Sequence, residues 1–352
     1  MVNLDFLKSH YSGKRVFLTG HTGFKGAWML QILHLAGAHV KGYALEPENK
    51  HDLFYAIQGN SLCDSHIADI RDFTALKQEI LNFKPDFIFH FAAQALVRKS
   101  YQEPLYTWEV NVNGTIHVLE ACRALNHPCA VLCITTDKVY ENNELGIPFK
   151  ESDPLGGFDP YSASKAGAEL AIQTYRNAFF LNNSPINLAS ARAGNVIGGG
   201  DFAEDRIVPD FVRAHYQSEP LFIRRPDAIR PWQHVLEPLA GYLKLAALLY
   251  ADKTFAQAYN FGPYAHDVLT VRELIDVASH VWPGLQIEFA DAPQGLHEAG
   301  VLMLNIDKAK NELDFVPRWN ARESVKHTVE WYKDSQRSAA EKCNEQILQY
   351  FV

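Results

Sequence analysis

Along the chain, short continuous apolar runs alternate with stretches whose apolar residues recur every three or four positions. Runs of the first kind occupy residues 15–19, 39–45, 86–91 and 130–134, with further ones at 189–193 and 258–262. Their length and lack of polar interruption suit strands buried on both faces. Residues 27–36 carry the helical spacing, and Gly37 supplies a stop just past them. Residues 161–170 and 325–332 read as helices too, the latter as the final one. Strand and helix in alternation predict an α/β protein built on a doubly wound parallel sheet.

At 352 residues the chain exceeds the ~250–300 at which a single core stops growing, so a smaller lobe should accompany the sheet. Two segments leave the sheet after the run at 189–193. The division expected is 1–195 with about 236–264 for the sheet domain, and about 196–235 with 265–352 for a smaller α/β lobe. Hydrophobic residues at 47% and charged residues at 21% are those of an ordinary globular chain. A net charge of -8 gives no support to nucleic-acid or anionic-membrane binding, which favour clustered basic residues. Cys63, Cys122, Cys129, Cys133 and Cys343 form no C-x-x-C pair, which suits a reducing compartment. With no long apolar stretch at the amino terminus or elsewhere, a cytoplasmic protein is expected. The fifteen histidines show no metal-ligand spacing, so no metal is expected.

Candidate chemistry begins at the first turn. The run at 15–19 passes directly into Gly20, Gly23 and Gly26, and then into a helix. Gly20 permits a tight turn, Gly23 lets backbone amides approach a pyrophosphate, and Gly26 lets helix and strand pack closely. The pyrophosphate would rest on the positive end of the helix. This is the layout of a dinucleotide site of the Rossmann type. After Leu45 come Glu46 and Glu48 with no arginine, which leans toward NAD over its 2′-phosphorylated relative.

A second cluster follows the run at 130–134, where Thr136, Asp137 and Lys138 put a hydroxyl, a carboxylate and an amine in succession. In open α/β sheets ligands bind outside the carboxyl ends of strands; an ordinary polar strand end followed by a charged loop would look the same. Tyr161 and Lys165, four apart on a helix, share one face. Arg206, Arg213, Arg224, Arg225 and Arg230 gather in an otherwise acidic chain. They read either as local charge balance or as a clamp for a diphosphate.

The G-x-x-G-x-x-G spacing, the Y-x-x-x-K pair at Tyr161 and Lys165 and the Thr136-Asp137-Lys138 tripeptide resemble the extended short-chain dehydrogenase/reductases, in particular the sugar-nucleotide branch. The segments at 20–26, 192–201, 205–210 and 228–235 resemble those of the CDP-glucose 4,6-dehydratases along nearly the full chain. Phe202 departs from that pattern, where a tryptophan is expected. The resemblance implies NAD contacts from Gly20, Gly23, Phe24, Gly26, Asp69, Ile70, Ala92, Ala93, Tyr161 and Lys165, with Asn111 opening a helix nearby. It implies catalysis by Thr136, Asp137, Lys138, Tyr161 and Lys165, and binding of CDP-glucose by Asn195, Arg206, Arg224, Arg230 and His297, the last beside Glu298. An acid at Asp137 separates dehydratases from 4-epimerases, which carry a small residue there. Lys138 stands where other dehydratases usually have glutamate, and its role is open between C5 base and positioning group. The resemblance further implies a homodimer paired through helices at 106–125 and 161–181, and a place in supplying deoxysugars for surface polysaccharide such as O-antigen. An epimerase or decarboxylase on the same scaffold is the rival reading, and a non-catalytic NAD-sensing regulator a second.

Overall fold

The computed structural model describes residues 2–142, 144–290 and 301–352. Six strands, β1 (Arg15–Thr19), β2 (His39–Ala44), β3 (Asp64–Ile67), β4 (Phe87–His90), β5 (Cys129–Ile134) and β6 (Ile186–Ala193), join a seventh at Ala258–Phe261. All pair in parallel, in the order Ala258–Phe261, β6, β5, β4, β1, β2, β3. The chain therefore works outward from β1 to one edge and then returns to start the other side with β4. That reversal opens a crevice at the carboxyl ends of β1 and β4, the switch point at which such sheets bind ligands.

Why these runs are continuously apolar is visible in the two cores. Val16, Leu18, Phe87, Phe89, Ala130 and Leu132 enter one hydrophobic cluster, and Phe17, Ile88, Val131 and Cys133 enter the other. Neighbouring residues on a strand thus pack on opposite faces, and neither face meets water.

The helix after β1, Phe24–Leu35, is buried from Gly26 to Leu33 with no polar outer face. A helix apolar all round needs cover on every side. Part of that cover is the helix Ala339–Phe351, joined to it by a 2.7 Å hydrogen bond from Gln31 Nε2 to Asn344 Oδ1. The helix expected to close the chain, observed as Ala321–Lys333, is therefore followed by another. Asn111 also departs from expectation. It lies inside a nearly continuous helical run, with Pro104–Trp108, a π-turn at Glu109–Asn113 and then Gly114–Cys122. Its buried amide exchanges bonds with the Gln94 backbone (2.9 and 3.0 Å) and donates to Ser164 Oγ at 2.9 Å. Tied in this way, the turn after β4 is fixed to the helix carrying Tyr161.

Smaller pairings come from the segments that leave the sheet. Leu221–Ile223 pairs in parallel with Ile287–Phe289, and Ile229–Arg230 antiparallel with Leu269–Thr270. With the helix Ile207–Gln217 they stand over the carboxyl ends of the sheet and wall off the crevice.

Candidate active site

The crevice is a cleft of about 1390 Å³. Its floor is the turn after β1. Gly20 has φ +73°, and a Cβ there would lie 2.8 Å from Ala92 N. A Cβ on Gly26 would lie 2.0 Å from the Gly20 carbonyl oxygen, so helix and turn touch backbone to backbone. Gly23, at the helix start, is different, since a Cβ there would meet only the Gly20 carbonyl oxygen, at an unstrained 3.5 Å. The first amides of a helix have no partner within it, and here Gly23, Phe24, Lys25 and Gly26 line the cleft. This is a cradle for an anion.

Asp69, Ile70, Ala92 and Ala93 line the same end. The Asp69 carboxylate is held by Arg71, at 2.8 Å from Nη2, which keeps it below the usual carboxylate range. Ile70 is buried against Gly114, where a Cβ would meet it at 2.9 Å.

At the other end β5 delivers its polar residues. Thr136 caps a short turn at Asp137–Val139, its Oγ1 accepting from Lys138 N at 3.3 Å and donating to Asp137 Oδ1 at 3.0 Å. The Asp137 side chain is 1% exposed, and its second oxygen has no hydrogen-bond partner. A buried carboxylate oxygen without a donor is costly unless a ligand or a proton satisfies it. Lys138 Nζ stands 3.9 Å from Asp137 Oδ1.

Helix Pro160–Tyr175 is started by Asp159, which accepts from Ser162 N at 2.9 Å, and by proline in its first turn. It carries Tyr161 and Lys165 into the cleft. Burial pushes the Tyr161 phenol up to about 12, while a hydrogen bond with Thr136 pulls it down. Burial lowers the Lys165 ammonium to about 8, and Nζ donates to the Ile134 carbonyl at 3.0 Å. Hydroxyl, carboxylate, phenol and ammonium therefore meet where one strand end faces one helix.

The arginines divide. Arg206, Arg224, Arg225 and Arg230 line the cleft together with Asn195, whose Oδ1 is buried without a partner. Arg206 also pairs with Asp201 at 2.7 Å, and Arg224 with Asp205 at 3.4 Å, so local charge balance and a cationic wall coexist. Arg213 is not part of that wall: it bonds Asp210 and the Phe202 carbonyl. His297 and Glu298 lie outside the described residues.

Two features were not anticipated from the chain alone. Lys25 lines the cleft, its ammonium lowered to about 8 by desolvation and by Arg206 and Lys165. It sits among glycines that draw attention to backbone and away from side chains. Glu169 and Arg192 form a buried ion pair at 2.8 Å directly behind Thr135. The only signal for Glu169 is its spacing, four residues beyond Lys165.

Residues 17–328 match the family model described as GDP-mannose 4,6 dehydratase. The chain belongs to that family. CDP-glucose 4,6-dehydratase of Salmonella typhimurium is 45% identical over 331 residues, covering 93% of this chain and 92% of that one. Among solved structures, dTDP-glucose 4,6-dehydratase from Bacillus anthracis in complex with NAD superposes with a TM-score of 0.77 at 21% identity, over 92% of this chain and 98% of that one. UDP-glucose 4-epimerase with UDP-glucose from Thermotoga maritima gives 0.78 at 19%, over 92% and 100%. At such identities these two speak for the shared fold. The stretch matched by the dehydratase family runs from the glycine turn past Arg230, and so takes in every candidate residue described above.

Proposed function

We propose that this chain is an NAD-dependent CDP-glucose 4,6-dehydratase, converting CDP-D-glucose to CDP-4-dehydro-6-deoxy-D-glucose and water. The observation that carries this reading is the buried Asp137 carboxylate, one oxygen unpartnered, beside Thr136 and Tyr161. A hydroxyl with a phenol is enough to oxidise a sugar carbon; an adjacent acid adds the means to expel water. The relative at 45% identity supports the cytidine nucleotide.

NAD fits the glycine cradle, with Gly20, Gly23, Phe24 and Gly26 at its pyrophosphate and Asp69, Ile70, Ala92 and Ala93 toward its adenosine half and ring. When bound it supplies reversible hydride transfer, accepting from C4 of the sugar and returning to C6. Tyr161 takes the proton of the 4-hydroxyl, which Thr136 also holds by hydrogen bond. The Lys165 ammonium and the positive nicotinamide ring both favour the phenolate needed for this step. The resulting 4-ketone acidifies C5–H. Lys138 removes that proton, and Asp137 protonates the departing 6-hydroxyl so that it leaves as water. Lys138 can take that proton only as the neutral amine, and Asp137 can give one only as the protonated acid. Asn195, Arg206, Arg224 and Arg230 hold the nucleotide diphosphate and sugar, guanidinium forks suiting paired phosphate oxygens.

A 4-epimerase would use Tyr161 and Thr136 equally well but has no task for Asp137, and an NAD-sensing regulator has no catalytic task for Tyr161 and Lys165. Incubation with CDP-, UDP-, GDP- and dTDP-glucose separates the readings. The alkaline absorbance of a 4-keto-6-deoxy sugar should develop with CDP-glucose most rapidly; no product from any of the four would remove the proposal. Lys138→Ala should abolish exchange of the C5 hydrogen with solvent deuterium, and exchange at the parent rate would return Lys138 to a positioning role.

The reading extends to a cytoplasmic homodimer that supplies deoxysugars for surface polysaccharide. Among the described residues no helix is long and apolar enough to cross a membrane. Leu105, Trp108 and Leu170 are exposed apolar side chains on the helices at 104–108 and 160–175.

A further inference from the structure

Behind the catalytic candidates lies a charge the proposed reaction does not use. Glu169 is on the same helix face as Tyr161 and Lys165, eight and four residues on, and its side chain is 2% exposed. Its Oε1 accepts from Thr135 Oγ1 at 2.5 Å. Its Oε2 accepts from Ser190 Oγ at 2.9 Å and from Arg192 Nη2 at 2.8 Å. Arg192 continues through Nη1 to the Tyr140 hydroxyl at 2.8 Å, which donates to Asn260 Oδ1 at 2.7 Å. One carboxylate therefore joins the helix, the end of β5 and the end of β6.

We infer that Glu169, with Arg192, is a positioning residue that locks the helix bearing Tyr161 and Lys165 onto the strand end bearing Thr136 and Asp137. This inference rests on the proposed dehydratase reading. Thr135, which Glu169 holds, directly precedes Thr136, and Ile134, whose carbonyl Lys165 holds at 3.0 Å, precedes Thr135. The last residue of β5 and the one after it are thus gripped from the one helix. A buried ion pair is a poor source of stability, since well-packed neutral residues often do as well or better. A pair that fixes two elements in one register has a geometric consequence instead. The charges facing Glu169 are Arg192 from β6, Lys165 from its own helix and Arg176 from the turn that follows that helix; Lys165 in turn faces the Cys133 thiol on β5, His90 on β4 and Lys25 on the helix after β1. Within this set the carboxylate favours the cationic form of Lys165.

Three variants test this: Glu169→Gln, Glu169→Gln combined with Arg192→Met so that no lone cation stays buried, and Thr135→Val. For each, kcat and KM for CDP-glucose are measured from neutral to alkaline pH, beside the thermal unfolding midpoint. Both Glu169 variants should lose about a hundredfold in kcat, with KM changed less than about threefold, because a displaced catalytic group slows the chemistry more than binding. Their high-pH limb should move down by about one pH unit as Lys165 loses its supporting carboxylate. Thr135→Val should lose about tenfold in kcat at unchanged KM. A double variant that unfolds at the parent's midpoint and keeps the parent's kcat and high-pH limb overturns the inference. If neither Glu169 variant folds, a Thr135→Val enzyme with parental kcat overturns it. A parent that forms no product overturns the functional reading beneath it, which is a separate result.

Discussion

At the scale of single residues, the proposed reaction divides between groups that meet at one strand end. Tyr161→Phe removes the base for the first step, so kcat should fall by roughly 10²–10⁴ with little change in KM. Asp137→Asn keeps that base and removes the acid, so it should oxidise C4 yet dehydrate poorly. In a single turnover the absorbance of reduced nicotinamide should then rise and persist, where the parent shows only a transient. A parental transient in Asp137→Asn would end the assignment of Asp137 as the acid. Tyr161, Lys165 and Thr136 could be picked out in the chain because each stands beside an apolar run or at a helical spacing, and because they resemble a known pattern. Glu169 and Arg192 could not. They are 23 positions apart, and each alone reads as one polar residue in an apolar element. Only the register of helix on strand makes them a pair.

At the scale of elements, the glycine turn and the strands were legible because chemistry confined to a short stretch dictates them. The continuous helical run through Asn111 was not, since a buried amide that ties a turn to a helix looks like a capping residue. The helix Ala339–Phe351 was missed for a related reason, as its apolar face is explained only by the fully buried Phe24–Leu35 helix it covers. Helices also carry the proposed dimer. Leu170 is 55% exposed and Leu105 72% exposed on neighbouring helices, an arrangement a second copy would bury. Leu170→Glu should shift the protein to half its sedimentation mass while leaving its circular dichroism intact. A parent that sediments as a monomer at micromolar concentration contradicts the dimer.

For the whole molecule, three buried histidines tie stability to pH. Burial lowers His21 to about 4 and His90 and His234 to about 3, against about 6.5 in an unfolded chain. Each is neutral in the folded state, so its contribution is fully present above pH ~6.5 and is lost as pH falls toward the folded value. Together they represent several kcal/mol, comparable with the ~5–15 kcal/mol that holds a protein folded. Glu237, whose carboxyl burial pushes up to about 7, acts in the opposite sense over the same range, but three histidines outweigh one carboxyl, so the unfolding temperature should still decline from pH ~6.5 to ~4.5; a midpoint as high at pH ~5 as at pH ~7 would contradict it. The proposed function also makes one demand on the whole catalytic cycle. A hydride taken from C4 must return to C6 of the same sugar, with no net oxidation. The direct measurement is to supply CDP-glucose carrying deuterium at C4 and locate the label by NMR in the product. Internal hydride transfer places deuterium at C6 of a 4-keto-6-deoxy sugar; deuterium left at C4, or lost to solvent, would contradict it.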